Sequence, residues 1–192
     1  MSTARGVILA AVMTVLLVVA TTVSGAPPAS AGDCGPGSAY YNIYSPSANR
    51  YVAVELGGNY KNTSKYRMLR TRTAEADLGP WEIFFLCLDS ANGDVSLYSP
   101  SSGYWVSVEL GGDYSGANRF AVLRARAGER GPWERFRISC SVPLCSLYSP
   151  AADKWVSAEL GGQWSSTEKG MLRARNADIG PWEQFQLVQR RI

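Results

Sequence analysis

Short runs of alternating apolar and polar residues recur from residue 41 onwards, and clusters of Gly, Pro, Ser and Asn separate them. In one run Val52, Val54 and Leu56 alternate with Ala53 and Glu55, which assigns the two sets to opposite faces of a strand. No window in this region keeps apolar residues at helical spacing, so the pattern predicts strands and no helix. The predicted strands are residues 41–45, 51–56, 68–72, 81–88, 95–99, 104–110, 121–125, 133–140, 146–149, 155–160, 171–174 and 182–189.

Four motifs return three times along the chain, and they divide the predicted strands into three groups of four. Gly-Pro-Trp-Glu begins at residues 79, 131 and 180, and Tyr-Ser-Pro, Glu-Leu-Gly-Gly and Leu-Arg-x-Arg recur in step with it. A spacing of roughly fifty residues requires a whole supersecondary unit in each repeat. The predicted repeats extend over about residues 40–89, 95–140 and 145–192.

Three groups of four short strands predict an all-β fold, and among such folds the β-trefoil. A propeller of three blades is difficult to close, and a solenoid needs capping repeats of a different character. In a β-trefoil, strands one and four of every repeat form a six-stranded barrel, and strands two and three form three hairpins that cap one end. We therefore predict a single β-trefoil domain over residues 40–192.

Three segments of the second repeat carry a family resemblance: Tyr104-Trp-Val-Ser-Val-Glu109, Leu123-Arg-Ala-Arg126 and Gly131-Pro-Trp-Glu-x-Phe136. In sequence and spacing they resemble the repeat signature of fascin-like β-trefoil domains, in particular the secreted bacterial members, which often accompany carbohydrate-active enzymes. Ricin-type trefoils match less well, because Gln163 and Trp164 are adjacent and do not form a Gln-x-Trp signature. The resemblance also implies actin bundling. We carry over the fold without that activity, because an exported chain does not meet cytosolic actin and a single trefoil lacks the several domains that bundling needs.

Residues 1–31 have the composition of a secretory signal peptide. Arg5 precedes an apolar run over residues 6–20, and Ala29-Ser30-Ala31 offers a small-residue cleavage site. A permanent anchor would need about 20 uninterrupted apolar residues, and threonine, glycine and proline close this run. We expect cleavage after Ala31, an irregular lead-in over residues 32–39, and a secreted, extracellular protein that keeps no membrane attachment.

The charge is nearly balanced, with 19 Lys and Arg against 16 Asp and Glu, no histidine and a net charge of +3. The charges are spread over the three repeats, whereas nucleic-acid binding requires a basic stripe, so we expect no nucleic-acid partner. Without histidine or a Cys-x-x-Cys pair the sequence offers no zinc site, and we expect no metal and no cofactor.

The four cysteines of an exported chain predict two disulfides. Cys34 precedes the first strand of the first repeat and Cys87 lies near the end of its fourth, and a trefoil makes these two strands antiparallel neighbours. Cys140 and Cys145 bracket the short link between the second and third repeats. Of the three possible pairings, the topology therefore predicts Cys34–Cys87 and Cys140–Cys145.

Most of the repeated charged and aromatic residues are predicted to be structural. The glutamate of Glu-Leu-Gly-Gly should face an arginine of Leu-Arg-x-Arg across a hairpin, in an ion pair worth about 0.2–1 kcal/mol if exposed. The expected pairs are Glu55 with Arg70 or Arg72, Glu109 with Arg124 or Arg126, and Glu159 with Arg173 or Arg175. The glutamates of Gly-Pro-Trp-Glu point inward in the same phase and should accept hydrogen bonds from turn amides or arginines.

Aromatic residues in and after the Gly-Pro-Trp-Glu motif are predicted to build the barrel. The alternation along the fourth strand assigns six residues to its core: Phe84, Phe136, Phe185, Leu86, Ile138 and Leu187. The tryptophans of the motif should begin the fourth strand and cover the end of the barrel: Trp81, Trp133 and Trp182.

The loop between strands two and three varies in sequence but keeps an aromatic residue two positions after its second glycine. The aromatics are Tyr60, Tyr114 and Trp164, and the polar residues before them are Asn59, Asp113 and Gln163. A sugar ring presents an apolar face that stacks on an aromatic ring and hydroxyls that need polar partners, so these six residues form the candidate ligand-binding set. The alternative is that the three rings only shield the core beneath the cap.

These features favour a non-catalytic, monomeric binding module for a glycan or a polysaccharide surface, with up to three weak pockets that gain avidity from being linked. One alternative is a protein-binding or inhibitory trefoil whose specificity lies in one non-repeated loop, for which residues 89–94 and 141–144 are the candidates, or a fascin-like scaffold module of the actin-crosslinking type. Another is a glycoside hydrolase that uses two of the repeated carboxylates. The chain lacks histidine, the commonest general base, and a catalytic pair is seldom triplicated, so we predict no catalytic residue.

Overall fold

The computed structural model describes residues 34–57, 60–61, 63–111, 120–162 and 164–191. Among them are twelve β-strands: β1 (Ala39–Ser45), β2 (Arg50–Val54), β3 (Leu69–Thr73), β4 (Phe84–Leu88), β5 (Val95–Ser99), β6 (Tyr104–Glu109), β7 (Val122–Ala127), β8 (Arg137–Ser141), β9 (Leu144–Ser149), β10 (Lys154–Ala158), β11 (Leu172–Asn176) and β12 (Gln186–Arg190). Short 3₁₀ turns lie at Glu75–Asp77, Pro80–Glu82, Pro132–Glu134 and Pro181–Glu183. The predicted signal peptide lies outside the described residues. Within them, no helix is long and apolar enough to cross a membrane.

Six of the strands close into a barrel. β1 pairs antiparallel with β4 and β12, β4 pairs with β5, and β8 pairs with β9. Two bridges complete the ring, one from Val95 in β5 to Phe136 beside β8, and one from Cys145 in β9 to Phe185 beside β12. The barrel strands are the first and fourth of each repeat, as the sequence predicts.

The remaining six strands form the hairpins β2–β3, β6–β7 and β10–β11. The second strands of these hairpins meet one another through three bridges: Met68–Arg124, Arg70–Met171 and Arg173–Val122. A six-stranded barrel capped by three mutually bridged hairpins is a β-trefoil. The predicted fold class is therefore confirmed.

Equivalent residues of the three repeats build one hydrophobic core. Phe84, Phe136 and Phe185 are at most 1% exposed. They pack in one cluster with the leucines of the Leu-Arg-x-Arg motifs: Leu69, Leu123 and Leu172. Leu86 is also buried, while Ile138 and Leu187 are partly buried against this cluster. The predicted phase of the fourth strand is confirmed.

Each fourth strand begins later than predicted, because Gly-Pro-Trp-Glu forms a 3₁₀ turn. Proline has a fixed φ and no N–H, which suits the first position of a helical turn better than a strand. The glutamate folds back and accepts the glycine N–H, as Oε2 of Glu82 does from Gly79 at 2.8 Å, and the contact recurs at Glu134 and Glu183. A turn amide is thus the partner of these glutamates, whereas the strand start at the tryptophans is wrong.

The tryptophans of the three turns lie on the outside of the molecule. Each turn packs against the second strand of its own repeat, which is β2, β6 or β10. Trp81, Trp133 and Trp182 remain 42%, 49% and 38% exposed. Because these side chains are so exposed, they do not cover the end of the barrel, and that prediction is wrong.

Two disulfides tie the barrel strands. Cys34–Cys87 joins the segment before β1 to β4, with 5.1 Å between the Cα atoms. Cys140–Cys145 joins directly paired residues of the β8–β9 hairpin, with 4.0 Å between the Cα atoms. Both predicted pairings are confirmed.

Candidate functional site

The glutamate of each Glu-Leu-Gly-Gly motif is held by arginines of its own hairpin. Oε1 of Glu55 lies 2.7 Å from Nε of Arg70 and 3.3 Å from Nε of Arg72. The equivalent ion pairs are Glu109–Arg126, Glu159–Arg173 and Glu159–Arg175. The cross-strand pairing that the repeats predict is confirmed.

These carboxylates are buried, which the alternation in the second strand does not indicate. Glu55, Glu109 and Glu159 are at most 2% exposed, because the 3₁₀ turn of each repeat packs against the strand that leads to them. Removing one partner of a buried pair leaves the other charge without compensation in the interior. The three glutamates are therefore buried members of ion pairs within their hairpins.

The first arginine of each Leu-Arg-x-Arg motif also joins its repeat to a neighbouring one. Nη1 of Arg70 donates to the carbonyl of Ser166, in the third repeat, at 2.9 Å. The equivalent contacts are Arg124 Nε to the Tyr66 carbonyl at 2.9 Å and Arg173 Nε to the Phe120 carbonyl at 3.0 Å. The three contacts form a cycle, so these arginines fasten the loops of the cap to one another.

Burial raises the pKa of the Glu109 and Glu159 carboxyls above the usual range for glutamate. The loss of hydration disfavours the charged form, and the neighbouring arginines offset it only in part. Such a carboxyl binds its proton more tightly in the folded state than in the unfolded state. Its contribution to stability is therefore complete below the ordinary pKa and is lost as the pH rises through the raised pKa.

We expect the stability of the wild type, relative to Glu159→Gln, to fall as the pH rises through the raised pKa of Glu159. Glutamine does not ionise, so the difference between the two proteins isolates this one carboxyl. Urea unfolding of both proteins from about pH 3 to pH 7 measures it. Parallel stability curves would contradict the raised pKa.

The candidate loop residues are partly described by the structure. Tyr60 is partly buried, and the guanidinium carbon of Arg70 lies 5.7 Å from its ring centroid. Trp164 has the same relation to Arg173 in the third repeat, at 5.5 Å. Four candidates lie outside the described residues: Asn59, Asp113, Tyr114 and Gln163.

Trp164 also packs on a small apolar cluster at the cap. The cluster consists of Met68, Val122 and Met171, which are equivalent residues of the three repeats, and Trp164 lies against it. This contact supports the shielding role for Trp164. None of the apolar clusters formed by the described residues includes Tyr60.

A groove of about 530 Å³ lies beside Trp81 in the first repeat, and the repeated motifs do not predict it. It is bordered by the 3₁₀ turn Glu75–Asp77, whereas the equivalent links of the other repeats form only bends. A difference in loop length marks this region in the sequence. The link before the Gly-Pro-Trp-Glu motif is longer in the first repeat, residues 74–78, than in the others, residues 128–130 and 177–179.

The described residues offer no cluster of acidic side chains or cysteines for a metal ion. The inward glutamates of the 3₁₀ turns have hydrogen-bond partners of their own. Thr73 donates to Oε1 of Glu82 at 2.7 Å, and Asn176 donates to Oε1 of Glu183.

No protein-family model matches this sequence, and no curated protein matches it in sequence. Solved structures do resemble it. ThreeFoil, a designed protein with threefold symmetry, superposes with a TM-score of 0.59 at 14% identity, over 79% of this chain and 99% of its own.

Two lectins superpose in the same way. The Polyporus squamosus lectin, bound to the epitope Neu5Acα2-6Galβ1-4GlcNAc, gives a TM-score of 0.57 at 13% identity over 81% of this chain. This chain spans only 50% of that lectin. The Macrolepiota procera ricin B-like lectin, in complex with lactose, gives 0.55 at 12% identity over 79% of this chain and 95% of its own. At these identities the likeness is one of fold.

Proposed function

We propose that this protein is a secreted, non-catalytic carbohydrate-binding module that works as a monomer. The observation that carries the proposal is an aromatic residue at one position of three otherwise variable loops, preceded each time by a polar residue. The proposed contacts are Tyr60, Tyr114 and Trp164 with Asn59, Asp113 and Gln163. Aromatic walls with a few fixed polar groups are common in small-molecule sites, and three linked weak sites gain avidity.

The surroundings of Tyr60 support a sugar contact. Arg70 beside its ring is held by Glu55 at 2.7 Å. A ring and a donor group that are already held in place lose little conformational freedom when a ligand binds. The glycans bound by the two lectins of the same fold support the class of ligand.

The positions of the repeated carboxylates support a binding module rather than a glycoside hydrolase. Such an enzyme needs two carboxyl groups that flank the scissile bond. The glutamates at 55, 109 and 159 are buried in ion pairs, and those at 82, 134 and 183 are buried and bonded within 3₁₀ turns. Hydrolysis of any member of a panel of chromogenic glycosides would contradict this proposal.

We also propose kinship with fascin-like domains, without their activity. The segments that carry the resemblance form the buried ion pairs and the 3₁₀ turns, which maintain the fold. A scaffold module of the actin-crosslinking type would sediment with actin filaments, and we expect no such sedimentation.

A glycan array, together with polysaccharide pull-down, tests the function on the purified chain from residue 32 to residue 192. We expect retention on at least one glycan. Failure to bind any array glycan or polysaccharide would overturn the proposal.

We expect the double variant Tyr60→Ala, Tyr114→Ala to lose at least about tenfold in affinity for that glycan, or about 1.4 kcal/mol. Tyr60→Ala alone should leave the urea midpoint close to that of the wild type, since none of the apolar clusters formed by the described residues includes Tyr60. Trp164→Ala is measured separately, because its contact with Met68, Val122 and Met171 predicts a loss of stability as well.

Tyr66→Ala is the matched control, since Tyr66 lies in the same loop as Tyr60 but its counterpart in the third repeat is Lys169. Its carbonyl, which accepts from Arg124, is kept in the variant. An equal loss of affinity in this control would show that the loop as a whole, and not the repeated aromatic, determines binding.

A further inference from the structure

We infer that the groove beside Trp81 is a saccharide-binding site in which a neutral pyranose ring stacks on the indole and its hydroxyls bond to Arg50 and Asp77. This inference rests on the proposed carbohydrate specificity. It does not depend on the loop aromatics. The site belongs to the first repeat, so it is single rather than threefold.

The indole of Trp81 is an exposed surface on a fixed support. Its turn is closed by the bond from Gly79 N–H to Glu82, and Ser101 of the second repeat donates to the Pro80 carbonyl at 2.5 Å. The far edge of the ring lies over Gly57, where a Cβ would be 3.5 Å from Cη2. Trp81 is 42% exposed on this fixed support, so its indole can stack against the apolar face of a sugar ring.

Arg72 adds a second fixed group to the groove. Its Nε lies 3.3 Å from Oε1 of the buried Glu55, and its guanidinium carbon lies 5.8 Å from the Trp81 ring centroid. Because the carboxylate holds it, the guanidinium is positioned before any ligand arrives. Binding against such a group costs little side-chain entropy.

The other polar groups of the groove suit hydroxyls. Arg50 is exposed and brings N–H donors, and Asp77 is exposed on the 3₁₀ turn and brings acceptor oxygens. A hydroxyl both donates and accepts, so a groove with both kinds of partner can satisfy it. The volume of about 530 Å³ lies within the range of small-ligand sites, roughly 300–1,000 Å³.

The charge of the groove favours a neutral sugar over an acidic one. Its lining contains two arginines, Arg50 and Arg72, and two carboxylates, Asp77 and Glu82. Arg72 is in addition paired with Glu55. No excess of positive charge is left to attract a uronic or sialic acid.

The same turn in the other repeats lacks these features. Both have the tryptophan and the second arginine, but their shorter links form only a bend in place of Glu75–Asp77. The residue that corresponds to Arg50 is Tyr104 in the second repeat and Lys154 in the third. Trp133 is therefore a matched control, since it has the same turn and is the most exposed of the three rings.

The test compares Trp81→Ala, Asp77→Asn and Trp133→Ala in pull-down with cellulose, xylan, chitin and lactose-coupled resin. On the probe that retains the wild type, we expect affinity to fall at least about tenfold in Trp81→Ala. Asp77→Asn should also weaken retention, and it keeps the test informative if Trp81→Ala is poorly folded. Trp133→Ala should stay within about twofold of the wild type, well under 1 kcal/mol.

The outcomes separate this inference from the proposed function. If the wild type is retained and the Tyr60, Tyr114 variant is not, but Trp81→Ala and Asp77→Asn bind like the wild type, the groove is not a site and the loop proposal stands. An equal loss in Trp81→Ala and Trp133→Ala would overturn the single-site inference in favour of threefold sites. A wild type retained on no probe and on no array glycan would overturn both.

Discussion

Phe136→Ala is expected to lower the free energy of unfolding by about 3–5 kcal/mol, the usual cost of emptying a buried aromatic site. Phe136 is 0% exposed and bridges to Val95, where the second repeat closes its part of the barrel. The ring lies in the core cluster with Phe84 and Phe185, so the cavity has walls contributed by all three repeats. Urea titration measures the loss.

The equivalent variants at Phe84 and Phe185 should lose similar amounts, because both rings are at most 1% exposed. Phe120→Ala is the matched control, since that side chain is 42% exposed and the backbone carbonyl that accepts from Arg173 is kept in the variant. A loss near zero at any of the three core positions would contradict the equivalence of the repeats in the barrel.

Removal of the Cys34–Cys87 disulfide by Cys34→Ala, Cys87→Ala is expected to cost about 4 kcal/mol on the loop-entropy model. The bond closes a loop with a sequence separation of 53 residues, so its loss frees a long stretch of the unfolded chain. Denaturant titration of the double variant gives the value.

The matched control is removal of Cys140–Cys145, whose sequence separation is only 5 residues. The same model assigns it about 2 kcal/mol. A greater loss from the short loop than from the long one would show that local packing, and not the unfolded chain, sets these contributions.

The sequence predicts the fold well because the same pattern of strands and motifs occurs in three repeats. A single strand pattern around Val52 is ambiguous, but three copies in register define four strands per unit and leave few architectures. The disulfide pairing follows from that topology, since Cys34 and Cys87 must lie beside each other once β1 and β4 are barrel neighbours.

The candidate ligand-binding loops are predicted less completely than the fold. The aromatic position of the loops is visible in the sequence, but whether a ring there is free or packed depends on what lies across the cap. Trp164 lies against Met68 and Val122, which belong to the other two repeats. No local pattern around Trp164 contains that contact.

The sequence by itself determined the threefold division, the strand order and the inward phenylalanines, because each follows from alternation and from motif spacing along one chain. The cysteine pairs follow in turn from the topology that the repeats predict. Only the tertiary structure decided that Glu55 is buried and that Trp81 faces solvent beside a groove. Both depend on where the Gly-Pro-Trp-Glu turn packs after the chain has closed. Burial is set by surfaces that meet across the fold, and a residue's own neighbours in sequence do not specify those surfaces.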